Sequence, residues 1–169
     1  PYEFGAAAAR FADLGVNIIG GCCGTSPEFI KRMRAAAHRK PPVPRPAPDA
    51  ATTWLTTRFD AFPFRPDAPC AVVGERINPT GRKQFKQALR DGDFKTVRVE
   101  AIEQAQSGAH VLDVNMGVGD FDETGAMRRA VRLIEDNANL PLCIDSSFAS
   151  ACEIGLQVAA GKSLMNSIS

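Results

Sequence analysis

The sequence has almost no excess of charge of either sign. Its 169 residues carry a formal net charge of +1. Nucleic-acid binding usually needs a basic face, so nucleic acid is not an expected partner. No apolar run approaches the roughly 20 residues of a membrane span, and no signal-peptide pattern stands at the N-terminus. A membrane is therefore not expected either. An initiating Met is missing: the chain opens on Pro1-Tyr2 and closes on Asn166-Ser-Ile-Ser169, inside or just after an expected strand. That reads as a piece of a longer polypeptide. An even cysteine framework is also lacking. There are five cysteines, Cys22, Cys23, Cys70, Cys143 and Cys152, two of them adjacent. This excludes a secreted disulfide scaffold and fits a reducing cytoplasm.

What is present is organised around Ala71-Val-Val-Gly-Glu-Arg-Ile-Asn-Pro-Thr-Gly81. The run Ala71 to Val73 is too short for a helix and rich in β-branched residues, and predicts a buried strand. It gives way to Glu75, Arg76 and Asn78, and Pro79 and Gly81 stop it. Polar side chains at the C-terminal end of a buried strand are where parallel α/β folds build their sites. The layout recurs. Val111-Leu-Asp-Val-Asn115 carries Asp113 and Asn115, Leu142-Cys-Ile-Asp-Ser146 carries Asp145, and Ser163-Leu-Met-Asn-Ser167 carries Asn166.

In chain order, residues 1–39 predict helix, strand, helix. Phe4, Ala7, Ala8, Phe11 and Leu14 recur at helical spacing and Gly15 stops the helix. Val16-Asn-Ile-Ile19 predicts a short buried strand. Ser26 then caps a helix with Pro27 in its first turn and Phe29, Ile30, Met33, Ala36 and Ala37 on one face. Residues 40–69 break the pattern. Pro41, Pro42, Pro44, Pro46 and Pro48 predict a stiff, extended linker. Trp54, Leu55, Phe59, Phe62 and Phe64 follow without clean periodicity, as in a tether that docks on a neighbouring domain.

From residue 70 the reading is βα repeated. Strands are expected at 70–77, 110–115, 141–146 and 163–168. Helices are expected near 82–90, 94–107, 123–137 and 148–160. In the second helix Asp93 is the candidate cap and Val97, Ala101, Ile102 and Ala105 point inward. Such alternation implies a parallel sheet. A complete (β/α)8 TIM barrel needs about 250 residues. The expected fold class is therefore α/β, in pieces: the last βα unit of one barrel, a linker, and the first four strands of a second.

Two constellations could carry chemistry. Cys22 and Cys23 lie in Gly20-Gly-Cys-Cys-Gly-Thr25. Two adjacent thiols can reach one zinc ion, which would lower the pKa of a bound substrate thiol. The alternative is a pair of small buried residues in a turn. A metal needs a third protein ligand, and neither His38 nor His110 looks placed to supply it. Glu75, Asn78, Asp113, Asn115, Asp145 and Asn166 form the second set. Carboxylates and amides at successive strand ends suit the hydrogen-bonding edge of a planar, amide-bearing heterocycle. The alternative is that each caps the following helix.

Val-Asn-Ile-Ile-Gly-Gly-Cys-Cys-Gly-Thr-Ser-Pro-Glu, residues 16–28, resembles the close of the homocysteine-binding domain of the cobalamin-dependent methionine synthase family. Val-Gly-Glu-Arg-Ile-Asn-Pro-Thr-Gly, Leu-Asp-Val-Asn-Met-Gly, Cys-Ile-Asp-Ser-Ser and Met-Asn-Ser-Ile-Ser resemble successive strand ends of its pterin-binding domain. The resemblance implies three segments: 1–39 from the homocysteine-binding barrel, 40–69 as interdomain linker, and 70–169 as the first half of the pterin-binding barrel. It implies zinc on Cys22 and Cys23, with a third cysteine outside this sequence. It implies pterin contacts at Asp145 and Asn166, further pocket residues at Glu75 and Asn78, and the second-strand motif at Asp113 and Asn115. The implied reaction moves a methyl group from 5-methyltetrahydrofolate through cobalamin to homocysteine. The partners would then be those small molecules and a corrinoid domain of the same polypeptide. Dihydropteroate synthase and corrinoid-protein methyltransferases share similar strand ends but not the Gly-Gly-Cys-Cys segment. A pterin- or zinc-binding piece without activity is the remaining reading.

Overall fold

The computed structural model describes every residue except Arg45, Pro48, Ile168 and Ser169. The expected linker proline at 48 and the last expected strand residue, 168, therefore lie outside the described residues. The chain divides into two compact units, Pro1–Pro48 and Asp49–Ser169.

In the first unit, α1 (Tyr2–Asp13) packs on α2 (Pro27–Ala37). Phe4 and Phe29 meet edge to face with centroids 5.4 Å apart. Gly5 lets the helices approach, since a Cβ there would stand 3.3 Å from the Arg32 carbonyl oxygen. Gly15, at φ +87°, ends α1 as expected. Ser26 occupies the N-cap of α2 with Pro27 just inside, although its side chain makes no capping bond.

The segment Val16–Ile19 is not the expected buried strand. It has no strand conformation, and Val16 and Ile18 are exposed. A strand exists by pairing, and the first unit offers no second strand among its described residues. Asn17 instead clasps the backbone of Val43, accepting from its N–H at 2.7 Å and donating to its carbonyl at 2.9 Å.

The second unit begins within the segment 40–69, where no regular structure was expected. Residues 53–64 form an antiparallel hairpin, β1 (Thr53–Thr56) and β2 (Ala61–Phe64). Its four-residue loop is closed by Thr57, whose Oγ1 accepts from the N–H groups of Phe59 and Asp60 at 3.1 and 2.9 Å. Pro63 is tolerated because β2 pairs only with β1 and owes no hydrogen bond on its other side.

Beyond the hairpin follow β3 (Val73–Ile77), α3 (Lys83–Arg90), α4 (Lys95–Gln106), β4 (Val111–Asn115), α5 (Glu123–Glu135), β5 (Leu142–Asp145), α6 (Ala149–Val158) and β6 (Leu164–Asn166). The strands make one parallel sheet in the order β3-β4-β5-β6. The expected α/β alternation is thus present, and no helix among the described residues is long and apolar enough to cross a membrane.

Strand alternation gives the sheet two different faces. Leu112, Val114, Leu142 and Ile144 join Val97, Ala101, Met127, Val131 and Ile134 in the core beneath the helices. On the other face Val111 and Cys143 form a small second cluster with Leu55, and Phe62 and Leu164 pack against it. The hairpin therefore covers the lower part of that face. It is tied there by Thr56, which donates its N–H to the Lys162 carbonyl at 3.1 Å, and by Arg58, which pairs with Glu135 and Asp136.

Three further expectations shift. The apolar run at 71–73 is not buried: Val72 and Val73 are 53% and 45% exposed, because β3 is an edge strand. The strand itself starts at Val73 rather than at the expected residue 70, and ends at Ile77 as expected. In α4, Val97 and Ala101 point inward as expected, but Ile102 and Ala105 are only half-buried, and the buried face is completed by Glu100 and Gln104.

Leu55 has no exposed surface. Leu55→Ala should destabilise the second unit by about 2–5 kcal/mol, the usual range for truncating a fully buried leucine. Denaturant titration of the full chain measures this. A loss below about 0.5 kcal/mol, typical of a surface change, would mean the hairpin does not seal the sheet.

Candidate functional site

The polar residues sit above the hairpin-covered layer, on the same face of the sheet. Register alone places them. Asn115 pairs with Asp145, and Asp145 with Asn166, so these three form one row across β4, β5 and β6. One rung lower, Asp113 pairs with Cys143 and Cys143 with Leu164. Glu75 and Asn78 come from β3 and its end, with the Asn78 amide 3.4 Å from the Glu75 carboxylate. The structure therefore gathers all six expected residues on one face.

Their hydrogen bonds differ. Asn115 donates to Asp145 Oδ2 at 2.9 Å and accepts from the Gly117 N–H at 2.8 Å. Both ends of its amide are engaged, which fixes its orientation and steadies Asp145. Asn78 accepts from the Thr80 N–H at 2.9 Å. Helix capping does not account for Asp145. α6 has no side-chain cap, Ser146 Oγ accepting only from the N–H of the N-cap residue Phe148 at 3.0 Å, and α5 is capped by Asp122. Half-buried Asp145 and exposed Glu75 and Asn166 face the open side.

Asp113 is the outlier. It is 4% exposed, and its Oδ1 has no hydrogen-bond partner among the described residues. Burial pushes its carboxyl above the ordinary carboxylate range. The neighbouring Cys143 thiol opposes this, Asp145 and Glu75 add to it, and Asn166 opposes it. Burial, with the Asp113 carboxylate alongside, pushes the Cys143 thiol up to about 12. An orphaned, buried acceptor in an otherwise satisfied sheet suits a ligand that brings its own donor.

Cys22 and Cys23 stand in a turn rather than at a strand end. The Cys22 N–H donates to Thr25 Oγ1, and the Thr25 N–H to the Cys22 carbonyl, each at 3.0 Å. A Cβ at Gly21 would lie 2.3 Å from Thr25 Cγ2, so only glycine fits beneath this turn. Both thiols are exposed, unlike the buried pair that was the alternative reading. Their sulfurs are 3.8 Å apart. Two thiolates on one tetrahedral zinc, each about 2.3 Å from the metal, stand about 3.8 Å apart. The pair thus has the spacing of two zinc ligands. Hydrogen bonds from the Cys23 backbone N–H and thiol hold the Cys22 thiol below its ordinary value. Among the described residues no group of three metal-ligating side chains forms around them.

Sequence reasoning missed the residues behind β3. Glu100, buried on α4, accepts from Arg76 at 2.8 Å and Arg82 at 2.6 Å. Burial alone would raise its carboxyl, but the bonds and charges of the two arginines outweigh burial and hold it below the usual range. Gln104, also buried, accepts from the Arg76 backbone N–H at 2.8 Å. The available signal is Glu100 and Gln104 at i, i+4, in phase with the inward-facing Val97 and Ala101.

Residues 74–169 match the family model described as pterin binding enzyme, and residues 1–37 the model described as homocysteine S-methyltransferase. The chain is 32% identical over 170 residues to methionine synthase of Mycobacterium tuberculosis (strain ATCC 25618 / H37Rv). That similarity covers 99% of this chain and 14% of the relative's length.

The raised Asp113 carboxyl sets a pH dependence. Its folded pKa lies above the unfolded value, so stability is lost as pH rises from the unfolded pKa, about 3.9, through the folded one. Asp113→Asn removes the ionisation and should be more stable than the parent at pH 7, with the gain shrinking towards pH 3. Thermal unfolding across that range checks it; a variant less stable at pH 7 would show that the ionised carboxylate is satisfied after all.

Proposed function

We propose that this chain, which belongs to the pterin-binding enzyme family, is a segment of a methionine synthase that moves a methyl group from 5-methyltetrahydrofolate through cobalamin to homocysteine. The observation that carries the reading is the in-register row Asn115–Asp145–Asn166 above the orphaned Asp113. It offers acceptors and an amide at the C-terminal ends of adjacent parallel strands, where a flat pterin edge could be read. The Homocysteine S-methyltransferase match and the Cys22–Cys23 spacing favour this over a dihydropteroate synthase-like or corrinoid-protein methyltransferase reading.

In this reading residues 1–39 close a homocysteine-binding barrel and 70–169 form the first half of a pterin-binding barrel. The intervening 40–69 is a linker only in its first part, and the hairpin at 53–64 serves as the floor of the second barrel. Asp145, steadied by Asn115, keeps its Oδ1 for a pterin N–H donor. Asn166 presents an amide beside it, and Glu75 with Asn78 borders the pocket. Asp113, at the base of the row, offers its unpartnered Oδ1 as an acceptor for a ligand donor. Cys22 and Cys23 would hold zinc with a third cysteine from elsewhere in the polypeptide. Bound there, zinc would supply a Lewis acid that keeps the homocysteine thiol ionised at neutral pH. Cobalamin, on a corrinoid domain of the same polypeptide, would supply the methyl carrier between the two substrates. Five free cysteines fit a reducing, cytoplasmic setting.

Asp145→Asn should weaken methyltetrahydrofolate binding to the full-length enzyme by about tenfold or more, since a charge-assisted hydrogen bond contributes roughly 1.5–3 kcal/mol. Homocysteine affinity should not change. Calorimetric titration of both ligands tests this, and equal folate affinity in variant and parent would remove Asp145 from the site.

Cys22→Ala should abolish zinc binding and homocysteine methylation in the full-length enzyme while methyl transfer from folate to cobalamin continues. Metal analysis and the two half-reactions, assayed separately, check this; an unchanged zinc content would sink the assignment.

A further inference from the structure

Glu75 and Asn78 are three residues apart. In a regular strand such residues point to opposite faces. Here the Asn78 amide lies 3.4 Å from the Glu75 carboxylate. The reason is an extra residue in β3. Gly74 pairs with Leu112 and Ile77 with Val114, so three steps on β3 span two on β4. This bulge returns Ile77, fully buried, to the helix-covered core that Gly74 also faces. Asn78 is thereby returned to the open face beside Glu75.

A bulge leaves backbone groups without ladder partners. The Arg76 N–H is satisfied by Gln104 Oε1 at 2.8 Å. Gln104 is 7% exposed, and its Nε2 donates to the Glu100 carbonyl of its own helix at 3.0 Å, which fixes which end of the amide faces the strand. Gly74 keeps the space clear, since a Cβ there would stand 2.6 Å from Gln104 Oε1. Glu100 then grips the Arg76 side chain from the same helix, 2.8 Å from its Nε.

We infer that Gln104 is a positioning residue for the folate site: from α4 its amide oxygen holds the β3 bulge that brings Glu75 and Asn78 to one face. The inference rests on the pterin-site reading above. Gln104→Met keeps the length of the side chain and removes the acceptor. In the full-length enzyme it should weaken methyltetrahydrofolate binding by about tenfold, the scale expected when a buried donor loses its acceptor. In a Glu75→Ala, Asn78→Ala background it should change affinity by less than about twofold, because a residue acting only through that pair has nothing left to act on. Gly74→Ala, which crowds the same amide without deleting it, should act in the same direction and serves if Gln104→Met does not fold. Hydrogen exchange across residues 73–78 should quicken in both variants.

Equal losses in both backgrounds would make Gln104 merely structural and overturn the inference. So would unchanged folate affinity in a parent that binds folate. A parent that binds no folate overturns the proposed function instead. Exchange then judges the clasp by itself: no quickening overturns it, and quickening upholds it.

Discussion

Everything at the candidate site depends on the in-register parallel pairing of β4, β5 and β6. Backbone hydrogen bonds set which residues stand side by side, and a slip of one residue would turn every side chain to the other face. With the observed register, Asn115, Asp145 and Asn166 align, and their neighbours one position back, Val114, Ile144 and Met165, turn away. The apolar core enforces that register. Leu112, Val114, Leu142 and Ile144 must meet the helices, and a slip would turn all four away from them and turn Asp113 and Asp145 into the helix-covered core in their place. Burying a carboxylate without a partner is far more expensive than losing a single strand bond.

β3 keeps regular pairing up to Gly74 and resumes it, shifted by one residue, at Ile77. Between them the bulge leaves the ladder, and α4 supplies a side-chain partner where the neighbouring strand cannot. That explains why two of the four buried residues on α4, Glu100 and Gln104, are polar. Their burial would be costly in isolation, but both are fully engaged, one with two guanidinium groups and the other with two backbone groups. The departure from regular geometry lies beside the site, where bulges commonly re-aim side chains.

The sequence was legible wherever one period ran long enough. α5 shows its stripe Ala126, Met127, Ala130, Val131 and Ile134 plainly, and all five are buried. β5 reads as a short apolar run, Leu142-Cys-Ile144, because both faces are covered there, by helices on one side and the hairpin on the other, whereas in β4 the apolar pattern is interrupted by Asp113. The hairpin was illegible. Its strands are four residues each, its loop Thr57-Arg-Phe-Asp60 has no glycine signal, and Pro63 argues against a strand unless the strand is known to be an edge. Val16–Ile19 fails in the opposite sense. Its composition suits a strand, but pairing is supplied by other segments and cannot be read from the residues themselves. The bulge was hidden for the same reason: that Glu75 and Asn78 share a face depends on which residues of β4 lie opposite.

The two candidate sites differ in how much of the fold they need, and this decides why both could be recognised when parts of the framework could not. The Cys22–Cys23 spacing is set by adjacent residues, a Thr25 clasp and a turn that requires Gly21. It stands although the strand expected before it is absent. The polar row Asn115–Asp145–Asn166 is the reverse case. Asn115 and Asp145 are 30 residues apart in sequence and meet at 2.9 Å only because β4 and β5 pair in register. Each strand end carries its polar residue visibly, yet the row exists only in the folded sheet. Asp113 marks the difference most sharply. In sequence it is one more aspartate at a strand end, equal to Asp145. In the structure it lies one rung deeper, buried and with one oxygen unpartnered among the described residues, so it weakens the sheet that aligns the others. Beside the three aligned side chains Asn115, Asp145 and Asn166, Asp113 is the residue of the candidate site that a purely stabilising role fits least.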